Sequence, residues 1–230
     1  VVAFTTGHGE LSPIETADLE ITLRQFYEVG RLRLDSLVRI PAEELSVLVV
    51  AKPRAGFSEQ DKFKIDQYVM NGGKVLWLID QLNVDLDSLR RGTFFPQEYN
   101  LQLDDLLFKY GIRIQPNLIL DMRCSRIPLA TGMLGNAPQF DYFRYPYHLV
   151  VAPTSTHPIV KGLGILNLLY ASTIDTTVRT KTEVQKTVLL TSSPNSRLQY
   201  IPLEMNFDFL RYDLDATKFD KPGQPVAMLL

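Results

Sequence analysis

The ten N-terminal residues, VVAFTTGHGE, set a histidine between two glycines with an acid directly behind it. Imidazole is the one side chain whose ordinary pKa lets it exchange protons near neutrality. Beside a carboxylate it can act as one half of an acid–base pair, so Gly7-His8-Gly9-Glu10 is the first candidate for chemistry. The glycines permit backbone angles closed to other residues and the close approach of another group. The motif is not a phosphate cradle, which needs three spaced glycines opening a helix, and Glu10 would repel phosphate. A structural reading stands beside the chemical one. In it Gly7 and Gly9 shape the turn, and Glu10 favours the N-terminus of the helix that follows. Either way His8 is expected to emerge exposed at the end of a strand.

Other reactive residues fit less well. Cys124 is the single cysteine, and as a nucleophile it would need a base and a supportive site. In DMRCSRIP the neighbours Arg123 and Arg126 would favour a thiolate. No small-residue strand-to-helix elbow surrounds it, however, and Pro128 discourages a helix there. The three histidines show no His-x-x-x-His spacing, so no metal and no cofactor are expected. His148 lies in an aromatic stretch and reads as a packed residue, and His157 before Pro158 reads as a turn. There is no Gly-x-Ser-x-Gly; Ser192-Ser193 run instead into the turn Pro194-Asn195-Ser196. Phe140, Tyr142, Phe143, Tyr145 and Tyr147 would suit stacking on a sugar or a partner peptide, and equally a small hydrophobic core.

The surrounding elements must position these groups. VVAFTT is a short β-branched strand closed by glycine. Ser12, Pro13 and Glu15 carry the cap, first-turn proline and capping-box acid of a helix running through IETADLEITLRQFYEV. GRLRLDSL alternates like an edge strand. LSVLVVAKP is a second buried strand, and SEQDKFKIDQYVM is a helix capped by Ser58 and stopped by Asn71-Gly72-Gly73. KVLWLID is a third buried strand.

This alternation predicts an α/β fold: three layers, a mostly parallel sheet with helices on both faces, Rossmann-like. Ligands on such sheets bind beyond the carboxyl ends of the strands. That brings Thr5 to Gly9, Lys52-Pro53-Arg54 and Asp80-Gln81 to one rim, with Gly7, His8, Gly9, Glu10, Arg54 and Asp80 as the expected ligand-binding residues. Beyond Asn100 the pattern loosens. A helix is expected over Asn100 to Gly111, a strand ending at Asp121, a short strand near YHLVVAP and another at KTVLLT. An extended excursion is expected near the end. No linker or repeat interrupts the chain, so residues 1–230 read as one domain.

The chain has 230 residues, 24 basic and 26 acidic, for a net charge of -2. No clustered positive surface suggests nucleic acid. One cysteine excludes an internal disulfide but does not decide the compartment, and no run of about 20 apolar residues would span a bilayer. The strand-like start and the apolar end PVAMLL suggest a piece of a longer, membrane-anchored protein.

TGHGE after the first strand, FYEV, DQYVMNGGKVLWLID, YGIRIQPNLILD, HPIVKGLG, LLTSSPNSR and PVAMLL together resemble the soluble domain of GldG-type, gliding-motility-associated ABC transporter proteins. The resemblance implies an auxiliary, substrate-binding-type component on the periplasmic face of the inner membrane. Its anchors would lie outside this chain, and its partners would be an ABC permease and ATPase, with a small molecule or glycan as ligand. It also implies a class I glutamine amidotransferase-like fold, shared with a domain of an intraflagellar transport protein. Those amidotransferases carry a cysteine elbow after a central strand, where this chain has Asp80-Gln81-Leu82-Asn83. The sequence therefore favours a non-catalytic binding or interaction domain. The alternative is a hydrolase or transferase using His8, Glu10 and Asp80.

Overall fold

A computed structural model describes residues 1–135, 137–178, 180 and 184–230. It resolves into two compact units where the sequence, lacking a linker, reads as one. The first holds Val1–Asp80 and Tyr99–Lys109, the second Gln81–Glu98 and Tyr110–Leu230.

In the first unit, strands β1 (Val2–Thr6), β2 (Val29–Arg33), β3 (Val47–Ala51) and β4 (Lys74–Leu78) form one parallel sheet in the order β2-β1-β3-β4. Alternation along the strands gives the sheet two apolar faces. Val2, Phe4, Val49 and Ala51 meet Leu23 of helix α1 (Ala17–Arg24) on one of them. Arg31 of β2 ties this face together, reaching Glu20 at 2.5 Å and lying over the Phe4 ring. Helix α2 (Glu59–Met70) covers the other face. Its Tyr68 hydroxyl donates to the carbonyl of Leu45 at 3.0 Å, and Phe57 just before it meets Trp77 edge-on.

Local signals explain these elements. Ser58 accepts from the Asp61 amide at 3.1 Å and caps α2 as expected, and Gly72 leaves the helix at φ +90°. Ser12 and Glu15 exchange the reciprocal bonds of a capping box, but they close a turn. Helix α1 itself begins only at Ala17 and ends at Arg24, so Phe26 and Tyr27 of the expected helix stand exposed beyond it.

Helices α3 (Leu86–Arg90) and α4 (Asp104–Lys109) are short. Helix α4 fills only part of the expected Asn100–Gly111 span. It is tied to α2 by Lys62–Asp105 at 2.7 Å and Lys109–Asp66 at 2.8 Å.

The second unit corrects the expectation of a mostly parallel sheet. Its strands are β5 (Arg113–Ile114), β6 (Asn117–Asp121), β7 (Cys124–Leu134), β8 (Ala137–Val151), β9 (Leu166–Leu169), β10 (Ile174–Asp175), β11 (Thr187–Thr191), β12 (Ser196–Tyr200) and β13 (Pro225–Leu229). They pair antiparallel as β10-β5, β12-β6, β11-β13 and β7-β8-β9. The three-layer parallel architecture thus holds for the first unit, where strands and helices alternate. Past residue 110 the described residues form no α-helix to carry a parallel crossover, and the strands pair antiparallel.

Strand β8 has fifteen residues, far longer than the short strand expected near YHLVVAP. Two apolar clusters fill this unit. One is built on Leu118, Leu120, Tyr145 and Tyr147, the other on Ile119, Leu149 and Leu190.

Candidate functional site

The rim predicted from sequence exists in the first unit. The loop leaving β1 carries Gly7 at φ +115° and Gly9 at φ +72°, angles that side-chain-bearing residues rarely adopt. A Cβ on Gly9 would sit 3.2 Å from Cβ of Arg54. That closeness lets the His8 carbonyl accept from the amides of both Arg54 and Ala55, each at 2.8 Å. Lys52 ends β3 at φ +50° and pairs with Asp80 beyond β4, Nζ to carboxylate 2.8 Å. Gly7–Glu10, Lys52–Arg54 and Asp80 therefore do emerge side by side.

The side chains divide that rim into two layers. His8 corrects the expectation of an exposed histidine: it is 7% exposed. Its ring lies flat on Phe57, centroids 3.9 Å apart and planes within 5°. Nε2 is 3.3 Å from Asp61 of α2, and Nδ1 is 3.5 Å from Glu10. The His8 amide also donates to Glu10 at 2.7 Å, so one carboxylate closes the loop through both backbone and side chain. Asp61 is held in turn by the Ser58 hydroxyl at 2.8 Å and by Lys64 at 3.1 Å, whose ammonium also reaches the Leu34 carbonyl at 2.7 Å.

In the outer layer, Arg54 is exposed and lies 3.8 Å from Glu15. Asp80 is occupied by Lys52, so it does not complete an acid–base set with His8 and Glu10.

Electrostatics follow from this packing. Burial opposes charge on His8, but hydrogen bonds and charges from Glu10 and then Asp61 outweigh it and raise its pKa above 6.5. Burial also opposes charge on Glu10. The His8 ring, neighbouring backbone amides and Thr5 more than compensate, bringing it down to about 2. Asp61 is lowered as well, its burial outweighed by Ser58, Lys64 and His8. The result is an imidazole clamped between two carboxylates, with Asp61 within hydrogen-bond distance of Nε2 and Glu10 3.5 Å from Nδ1. Among the described residues no group of three or more His, Cys, Asp or Glu side chains is arranged to hold a metal ion. Beside Lys64, the side chains of Asp35, Leu37, Val38, Gln60 and Phe63 line a shallow surface hollow of about 330 Å³.

The remaining sequence candidates lie in the second unit. The Cys124 thiol is pushed up by burial, which outweighs the nearby Arg144, so it is not an activated thiolate. His148 packs edge-on against Tyr145 and Tyr170, centroids 4.8 and 5.1 Å away, and burial lowers it to about 4. His157 opens the expected turn, its carbonyl accepting from Val160 and Lys161. Ser193 is a ligand of Asp121, which accepts from its amide at 2.7 Å, its hydroxyl at 2.5 Å and the Arg123 amide at 2.7 Å.

Sequence reasoning did not single out Phe57, Asp61 or Asp121. Asp61, three residues after the Ser58 cap, had the appearance of an ordinary first-turn acid. Only the fold brings it under His8.

A family model described as ABC-type uncharacterized transport system, ABC_transp_aux, matches residues 1–230, the whole chain. No curated protein matches it. The solved N-terminal domain of mmIFT52 superposes with a TM-score of 0.53 at 16% identity, over 83% of this chain and 72% of that one. A ThuA-like protein from Bacteroides uniformis ATCC 8492 aligns at a TM-score of 0.45 and 14% identity, over 99% of this chain and 75% of its own. The first of these is a likeness of fold alone.

Proposed function

The chain belongs to the ABC_transp_aux family of ABC-type transport systems, and from that premise we propose that it is a non-catalytic binding or interaction domain of a transporter's auxiliary component. In this reading it is GldG-type and lies on the periplasmic face of the inner membrane. Its partners are the permease and ATPase of the same system.

The observation that carries the reading is the state of His8. A general base must offer a lone pair to substrate, and here both ring nitrogens face carboxylates while one ring face is covered by Phe57. The same clamp suits a scaffold that holds the β1 and β3 exit loops in one geometry. Gly7, Arg54, Lys52 and Asp80 are then the solvent-facing members that a small molecule, glycan or partner would meet. Gly9 is exposed beside them, and the His8 and Glu10 side chains support them from beneath. The hydrolase alternative loses support because Asp80 is paired with Lys52.

The test is co-purification of the tagged protein from its native membrane in mild detergent. The expected result is recovery of the permease and ATPase of its system. Their absence, together with hydrolysis of ester, amide or glycoside probes that His8→Ala abolishes, would overturn the proposal.

A further inference from the structure

Strands β7 and β8 continue as a two-stranded ribbon well past the core of the second unit. At its root, Ile127 and Tyr145 are buried in that core. Beyond Leu129, residues 130–133, 135 and 137–142 are all exposed. The cross-strand partners are Pro128 with Tyr142, Ala130 with Phe140 and Met133 with Pro138. Partners directly opposite one another share a face, and the register shift between Ala130 and Gly132 keeps Met133 on it.

One side of the ribbon is thus a continuous apolar stripe in which Met133 is 65%, Phe140 52% and Tyr142 67% exposed. The other side carries Gln139 and Asp141, the latter bonded to Thr131 at 2.7 Å. An exposed amphipathic ribbon of this kind marks an interaction surface.

Its chemistry points to the occupant. Between Cys124 and Arg144 the sequence has aromatic, Met and Arg residues but no Lys, no Glu and only one Asp, the composition of a protein interface core. Pro128 and Pro138 blunt the two strand edges, so the contact is made by the side-chain face rather than by adding a strand. Phe140 and Tyr142 lie along that face and not at the turn, which suits a groove better than a lipid surface. At the root of the same face Arg126 stands opposite Arg144; the Arg144 guanidinium donates to the Met122 carbonyl, while Arg126 is exposed beside the stripe and offers a cation to a carboxylate on the partner.

We propose that this face docks into an apolar groove flanked by carboxylates on the permease of the transport system. The proposal rests on the auxiliary-component reading above.

The experiment titrates the 230-residue chain against the purified permease of its system in lipid nanodiscs, with empty nanodiscs alongside and the chain's mass measured in solution. A Phe140→Ser/Tyr142→Ser double variant and Arg126→Glu are compared with wild type. Near-UV circular dichroism and melting temperature are checked, since exposed side chains should leave both unchanged. The expected result is permease binding that weakens about tenfold or more in both variants, with no binding to empty nanodiscs and a monomeric chain. Variants that bind the permease as tightly as wild type would overturn the ribbon assignment and leave the auxiliary reading standing. So would equal binding to empty nanodiscs, which makes lipid the occupant, or a wild-type dimer that the variants dissociate, which makes it a second copy. Failure of wild type itself to bind the permease would overturn both proposals.

Discussion

The carboxylate of Asp61 lies 3.3 Å from Nε2 of His8, although 53 residues separate them in the chain. Helix α2 thereby reaches beneath the loop that leaves β1 and joins Glu10 in holding the imidazole. Removing one partner of a buried ionic cluster leaves the others uncompensated, at a cost of roughly 3–5 kcal/mol. His8→Ala is therefore expected to destabilise the first unit by about that much, since it also loses the Phe57 stack. Thermal and urea unfolding followed by Trp77 fluorescence would measure it; a change below about 0.5 kcal/mol, the size of an ordinary surface substitution, would contradict the clamp.

The clamp has a pH signature. His8 is raised above 6.5 in the fold, so its contribution is fully present below pH 6.5 and is lost as pH rises through the folded value. Glu10 is lowered from 4.5 to about 2, so its contribution is present above pH 4.5 and is lost as pH falls toward 2. The difference in unfolding free energy between wild type and His8→Ala should shrink on the alkaline side. The difference for Glu10→Gln should shrink on the acid side. Differences independent of pH would contradict these assignments.

His148 works in the opposite sense. Burial lowers it to about 4, so the unfolded chain takes up a proton first and stability falls between pH 6.5 and about 4. Replacing it with phenylalanine, which keeps a ring among Tyr145 and Tyr170, is expected to flatten that part of the urea-midpoint profile. An unchanged acid limb would show that the ring is not buried as described.

Gly9 and Gly7 both have positive φ, but only Gly9 is crowded. Both angles strain an alanine, so Gly7→Ala and Gly9→Ala should each cost about 1–3 kcal/mol, and at Gly9 the added Cβ must also displace Arg54. Thermal unfolding measures both; a Gly9→Ala cost below about 0.5 kcal/mol, the size of an ordinary surface substitution, would contradict the close approach of Arg54 to the β1 loop.

The parallel sheet was legible because VVAFTT, LSVLVVA and KVLWLI are unbroken apolar runs between helical patterns, and their order fixes which ends meet. The rim adjacency of Gly9, Arg54 and Asp80 followed from that alone. The depth of His8 did not, because it depends on Phe57 and Asp61, whose approach to the β1 loop is set by the packing of α2. The second unit was harder to read. The prolines and aromatics of PQFDYFRYPYH obscure the strand alternation of the β7–β8 hairpin, and the pairings of β6 with β12 and of β11 with β13 join residues far apart in the chain.

The most direct measurement of the central claim is an NMR titration of the His8 ring in the folded chain. The clamp predicts a pKa above the ordinary histidine value, with a depression toward that value in Asp61→Asn. A ring that titrates at or below 6.5 and does not respond to Asp61→Asn would contradict it, and would return His8 to the list of free bases.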